Sequence, residues 1–312
     1  MISMNRVFCL ILAMTLAASF CSCSTRTVTI DEYMSFTDDA ARQVTLYSKP
    51  QKVAVLFSSL ADVWMLAGGR VDITVGESIE RGFADANAVL VDAGAGKAIN
   101  TELLIEAKPD FVICSADIEA QIKAAELVKS TGTPSACFRI ESFEDYLRVL
   151  SLFCEITQNT TAYEKYGTEV LTKVSQQLSH AENDGRAREA LFLRAGSSLS
   201  SVKAKSSSDH FAAAMLTQLG VKNIADDSPV LIDSLSIEEI LIRNPEYIFI
   251  STMGDEISAK KNVEELFTSP QWNSLSAIQN GKYIFLPKEL FHYKPNARWD
   301  EAYKFLVDFI YE

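Results

Sequence analysis

The residues best equipped for chemistry lie near the C-terminus, where Phe291-His292-Tyr293-Lys294-Pro295-Asn296-Ala297-Arg298-Trp299 combines aromatic rings with cations beside a proline-stiffened loop. Flat rings cover apolar surface, and guanidinium or ammonium groups meet oxyanions, so the chemistry is recognition of a large, partly apolar anion. A second polar run, Lys203-Ala-Lys205-Ser-Ser-Ser-Asp-His210, adds cations and hydroxyls. Its Asp-His pair invites a reading as an exported hydrolase, the rival from another class. No Gly-x-Ser-x-Gly turn is present, however, and an Asp adjacent to a His in sequence does not set a base against a nucleophile. His180, His210 and His292 are the only histidines. They are too few and too scattered for a dedicated transition-metal site, and Cys114, Cys137 and Cys154 match no zinc spacing. These three cysteines form an odd set, with Cys114 and Cys137 in strand-like runs, and are expected to be buried, inert thiols. Gly94-Ala-Gly96-Lys97-Ala98 lacks the first glycine and the following Ser/Thr of a phosphate loop, and reads as a turn.

The elements that position these residues are marked by an internal repeat. Asn100-Thr-Glu-Leu-Leu-Ile-Glu-Ala-Lys-Pro-Asp-Phe-Val-Ile-Cys114 and Ser236-Ile-Glu-Glu-Ile-Leu-Ile-Arg-Asn-Pro-Glu-Tyr-Ile-Phe-Ile250 share one pattern of short helix, proline and buried strand. A constant offset of 136 positions relates Glu102 to Glu238 and Pro109 to Pro245. Two similar lobes follow, each with one glutamate at an equivalent place, a pairing suited to a two-fold symmetric partner.

Around the repeat, buried strands at 53–57, 72–75, 111–114 and 135–138 alternate with helices at 60–66, 117–130 and 142–156. The pattern restarts with a strand at 190–193, a helix at 211–219, a strand at 283–286 and a last helix from about Asn296. The fold class is therefore α/β, with mostly parallel sheets in two lobes. One long helix from Asn159 to His180 joins them. It is expected to open on a Thr161-Ala-Tyr-Glu164 capping box, and it carries Tyr163, Tyr166, Val170, Val174 and Leu178 on one stripe. A stiff connector of this kind permits only small rotations of the lobes.

The formal charge of −12 excludes a nucleic-acid backbone as partner. Arg6, the apolar run from Val7 to Phe20 and the following Cys21-Ser22-Cys23 read as an export signal too short to span a bilayer comfortably, where about 20 residues are needed. A cysteine at this place resembles a lipobox. Cys23, preceded by the small Ser22, is the expected lipidation site, with Cys21 the alternative. The resulting division is a signal peptide at 1–22, a tether at 23–48 that is expected to include an entry strand, an N-terminal lobe at 49–157, a connecting helix at 158–182 and a C-terminal lobe at 183–312.

From Lys52 to Ile310 the chain resembles the extracytoplasmic substrate-binding lipoproteins of ABC importers, in the single-helix-connector class that handles iron-siderophores, haem and cobalamin. The two Glu-x6-Pro-acidic-aromatic-aliphatic units, the connecting helix and the lipobox-like start carry the resemblance. It implies a lipid-anchored, extracytoplasmic, monomeric receptor without enzymatic activity or cofactor of its own. Such a receptor captures a metal chelate (ferric siderophore, haem or cobalamin) between its lobes and docks on a permease dimer through Glu102 and Glu238. Glu239 could replace Glu238 in that role.

In open α/β sheets the ligand crevice lies at the carboxyl ends of the strands. The residues there are Ser59, Trp64, Arg81, Phe83, Ser115 and Arg139 in the first lobe. In the second they are Arg194, Lys205, Met253, His292, Tyr293, Arg298 and Trp299. His292 or Tyr293 could be an axial ligand to haem or corrinoid metal, although His292 also suits a hydrogen-bonded loop histidine. His210 reads as a helix-start residue, and Trp64 and Trp299 fit either core or ligand wall.

Overall fold

Val53–Val55, buried along its whole length, forms the strand β3 on which the first sheet is built. In the computed structural model residues 31–92 and 98–311 are described. The export segment with Cys21 and Cys23, and the string from Gly94 to Lys97, lie outside them.

Two further strands flank β3 on one side, β4 (Ile73–Thr74) and β5 (Val89–Leu90), and two on the other, β6 (Phe111–Ser115) and β7 (Ser135–Phe138). All four pairings in the order β5-β4-β3-β6-β7 are parallel. The second sheet is built likewise from β8 (Arg188–Ala195), β10 (Val221–Asn223), β11 (Tyr247–Thr252) and β12 (Tyr283–Phe285), in the parallel order β10-β8-β11-β12. A short β9 (Lys203–Ala204) pairs antiparallel with β8. Both central strands, β6 and β11, are buried throughout, as a parallel sheet covered on both faces requires.

The repeat is a repeat in three dimensions. Asn100 and Ser236 each cap their helix, accepting from the backbone N–H of Leu103 and Glu239 respectively. Each helix ends in a left-handed residue, Lys108 at φ 50° and Asn244 at φ 41°, followed by Pro109 or Pro245 and the central strand. The proline restricts the residue before it, so the same sharp stop recurs in both lobes.

Helical residues 160–184 run between the sheets, with a π-turn at Glu164–Thr168. The helix is capped by Asn159, whose side chain accepts from the N–H of Ala162, so the expected Thr161 to Glu164 box does not form. Thr161 instead donates to Asn159. Gly185, at φ 62°, stops the helix. Val170 and Val174 are buried in a core that includes Phe111 and Phe153 from the first lobe, and Phe192, Phe249 and Leu306 from the second. A shared core resists independent swinging of the lobes more strongly than the connector alone.

Residues 34–46, expected to hold a tether and an entry strand, form an antiparallel hairpin of two strands, β1 (Met34–Thr37) with β2 (Gln43–Leu46). Val44 and Leu46 are buried in the same core. Alternation of buried and exposed residues over only four positions gave little signal.

Candidate ligand cleft between the lobes

The helix Ser58–Leu66 follows β3 directly and presents Ser58, Ser59 and Asp62 at the carboxyl edge of the first sheet. Facing it is the segment 292–298, which bridges the lobes. Asn296 donates from Nδ2 to the Ser59 carbonyl at 3.0 Å and to Asp62 Oδ2 at 2.8 Å. Lys294 pairs with Glu141 of the first lobe at 2.9 Å while its ammonium sits 4.5 Å from the centre of the Phe211 ring of the second.

A cleft of about 530 Å³ opens here, lined among others by Asp62, Arg81, Phe83, Tyr293, Lys294 and Arg298. Arg81 is its principal cation. Its guanidinium carbon lies 3.9 Å from the Tyr293 ring centre and 4.7 Å from that of Phe83, and Nη1 donates to Ser58 Oγ at 2.9 Å. Two rings and a hydroxyl thus fix a planar fork at the cleft wall. A second cavity of about 150 Å³, bounded by Ser59, Ser115, Asp117, Phe138 and Glu141, meets the first at Lys294.

Cations and carboxylates are interleaved in this region, since Asp62 and Glu289 also line the cleft and Lys294 and Arg298 are each paired with a glutamate. His210 is pushed down to about 3 by burial and then by the cations Arg194 and Lys294, with His292 and Lys205 adding to the effect. His292 is pushed down to about 4 by burial, Lys288, Arg194 and Arg81. Geometry agrees for His210, whose Nδ1 accepts the Ala212 N–H at 3.2 Å and so carries no proton. Burial also lowers Lys294, against the pull of Glu141. Desolvation raises Asp62, against its hydrogen bond from Asn296 and the charge of Arg81. At the carboxyl end of the second sheet Arg194 and Ser251 are paired across β8 and β11 and share a face. The Nε of Arg194 and the Oγ of Ser251 are buried without hydrogen-bond partners. Orphaned donors beside crowded cations suit an anion that brings acceptors with it.

The structure gathers Arg81, Phe83, Tyr293 and Arg298 on one cleft and Ser59 and Ser115 on its neighbour. Arg298 is held by Glu301 through bonds of 3.0 and 2.8 Å. Arg139 is exposed and paired with Asp117 at 2.5 Å, outside both cavity walls. Arg194 and Lys205 act on the region through charge, His292 is held neutral beside them, and Met253 lies exposed beyond the end of β11.

Trp64 and Trp299 do not line the cleft. Trp64, 2% exposed, packs against Phe111 and Phe153 and donates Nε1 to the Arg70 carbonyl at 3.0 Å, near the start of β3. A Cβ on Gly69 would come within 2.2 Å of its ring, so that glycine is required by the packing. Trp299, 1% exposed, sits between Phe143 and Phe211. Both are core residues, packed by their rings in the cluster shared by the two lobes. Asp62 and Ser251 were missed from sequence. The available signals were a lone carboxylate inside the apolar run Leu60-Ala-Asp-Val-Trp64 and hydroxyls ending a fully buried strand.

Glu102 and Glu238 are exposed in the first turns of equivalent helices. Glu238 accepts only a local bond from Ser236 Oγ at 3.1 Å, whereas Glu239 is half-buried and 3.9 Å from Arg243.

The sequence model of the family described as periplasmic binding protein matches residues 53–290, about three quarters of the chain. The chain belongs to the periplasmic binding protein family. Its two-lobed α/β architecture is that of solved members. A periplasmic binding protein from Veillonella parvula superposes with a TM-score of 0.69 at 15% identity, covering 90% of this chain and 90% of that one. Staphylococcus aureus SirA, complexed with staphyloferrin B, gives 0.65 at 18% identity, covering 89% and 97%. S. aureus IsdE, complexed with heme, gives 0.66 at 14%, covering 84% and 99%. No curated protein sequence matches the chain. Among the described residues of this periplasmic binding protein, no helix is long and apolar enough to cross a membrane.

Proposed function

We propose that this protein is the extracytoplasmic substrate-binding component of an ABC importer, and that its cargo is an anionic metal chelate of the ferric siderophore type. The observation that carries the reading is the cleft itself, where Arg81 is clamped between Phe83 and Tyr293, and where burial first and nearby cations second hold two histidines neutral. A chelate with carboxylate or catecholate oxygens satisfies the cations, and its apolar portions cover the rings. The similarity to proteins solved with staphyloferrin B and with heme supports a chelate in this crevice. No bond is made or broken. The protein's work is selective capture, followed by release to a permease dimer approached through Glu102 and Glu238. Lipidation at Cys23, or at Cys21, would keep the receptor at the outer face of the cell membrane.

The test is a thermal-shift screen of the purified protein against ferric carboxylate, catecholate and hydroxamate siderophores, haemin and cobalamin. A ligand at 100 times its Kd stabilises the native state by about 2.7 kcal/mol. Selective stabilisation by an anionic ferric chelate is the expected result. Stabilisation by none of them contradicts the proposal, and stabilisation by cobalamin alone reassigns the cargo.

A further inference from the structure

Strands β6 and β7 set two cysteines side by side. Cys114 and Cys137 are in register across the parallel ladder and lie in one buried cluster on the same face of the sheet. Both are free thiols with no solvent exposure. Neighbouring strands run about 4.8 Å apart, inside the roughly 4.4 to 6.8 Å between Cα atoms that a disulfide spans. Cys154 belongs to a different core cluster and does not compete.

An arginine is brought to this pair from outside the sheet. The turn of the β1–β2 hairpin docks on β7, where the Asp39 N–H donates to the Cys137 carbonyl at 2.9 Å and the Cys137 N–H donates to Asp38 Oδ2 at 2.9 Å. Asp38 Oδ2 holds Arg42 through bonds of 3.0 Å from Nε and 2.6 Å from Nη2. The same Nη2 lies 3.1 Å from Cys137 Sγ, and Nη1 is buried with no hydrogen-bond partner. A thiol that served only as a small apolar filler would gain nothing from a buried guanidinium, whereas a thiolate would. The hydrogen bond from Cys114 and then the charge of Arg42 hold the Cys137 thiol below its ordinary range, against desolvation and the charge of Asp38. That same hydrogen bond, with burial, pushes Cys114 up.

We propose that Cys114 and Cys137 are a redox pair that closes to a cross-strand disulfide by thiol–disulfide exchange, with Cys137 the attacking sulfur and Arg42 its positioning residue. The Cys137 thiolate attacks one sulfur of an external disulfide, whose S–S bond breaks to release a thiolate and leave a mixed disulfide on Cys137. Cys114 gives up its proton and attacks the Cys137 sulfur, expelling the second external thiolate. Two cysteine thiols are oxidised, one external disulfide is reduced to two thiols, and the two cysteine protons end on those thiols. Because the hairpin turn covers Cys137, exchange requires residues 37–42 to lift from β7. Oxidation therefore reports opening of that hairpin.

The experiment is native incubation of the purified protein with oxidised glutathione, alkylation, and peptide mapping by mass spectrometry without reduction. The expected product is a Cys114–Cys137 cross-linked peptide two hydrogens lighter than its free parts, with Cys154 still alkylated. Arg42→Gln is expected to slow linking about tenfold and shift its pH profile upward, and Arg42→Lys to restore the profile in part. A purely structural Arg42 would leave the half-maximal pH unmoved. Because an Arg42 variant could disturb the hairpin, Cys154→Ser provides a second readout with the hairpin intact and should link at the unaltered rate. Recovery of Cys114 and Cys137 as separate alkylated thiols, or a glutathione adduct on Cys137 that Cys114 never resolves, overturns the proposal.

Discussion

The side-chain amide of Asn296 lies 2.8 Å from the Asp62 carboxylate, joining the segment before the last helix to the first helix of the opposite lobe. Asn296 is fully buried at φ 52°, a left-handed conformation that asparagine tolerates better than most residues. Asn296→Ala removes the donor to both the half-buried Asp62 and the buried Ser59 carbonyl and leaves both acceptors without it. The expected cost is about 1–3 kcal/mol in urea unfolding. Asn296→Asp should cost more at pH 7 by setting two carboxylates together, and should recover part of the loss as acid protonates one of them.

Stability should fall as pH drops below the ordinary histidine value. The folded-state values of His210, about 3, and His292, about 4, lie beneath the ordinary 6.5, so the unfolded chain takes up protons that the native state refuses. The stabilising term is complete above about pH 6.5 and is lost progressively down to about pH 3, the folded value of His210. Asp62, raised by desolvation, opposes this in the carboxylate range. Melting temperature against pH measures the slope. His210→Asn, which can still cap the helix Phe211–Gln218, should flatten it.

Burial keeps both histidines neutral and nearby cations add to it; an anionic ligand offsets the cationic part, so binding at about pH 5 should take up protons. Calorimetry in two buffers of different ionisation enthalpy reads the number directly. A net release of protons on binding would mean that the ligand does not lie near Arg194 and Lys294.

Trp64→Phe and Trp299→Phe should lower stability by about 1–3 kcal/mol, since each leaves a cavity and Trp64 also loses its bond to Arg70. Ligand affinity should change less than twofold. A large affinity loss at unchanged stability would place either ring in the site instead of the core.

Much of the fold was legible because the repeat and the buried strands are local patterns. Pro109 and Pro245 stop equivalent helices, and β6 and β11 read as continuous apolar runs. The hairpin at residues 34–46, β9 and β10 were not legible, because strands of two to four residues carry too little periodicity. At the site, the segment 292–298 was legible from its aromatic and cationic composition. Asp62 was not, since nothing local to it encodes the partner Asn296, 234 residues away. The two tryptophans carry no local mark of their role, and only tertiary packing distinguishes a ligand wall from a core.

Charge reversal at both exposed tips, Glu102→Arg with Glu238→Arg, should abolish uptake into cells while leaving ligand affinity within about twofold, because rim charges set docking and not the cleft. Radiolabelled uptake beside a binding isotherm separates the two. Loss of binding in the double variant would argue against a docking role.

Arg81 on the cleft wall and Arg194 near it are expected to hold the cargo, and one titration tests this most directly. A ferric siderophore that stabilises the protein is titrated, by intrinsic fluorescence quenching, into the wild type, Arg81→Ala and Arg194→Ala. The account gives a loss of affinity of at least about tenfold for each variant, the value of one charge-assisted contact of about 1.4 kcal/mol or more. Unaltered affinity in both variants, with their folds intact, would contradict it.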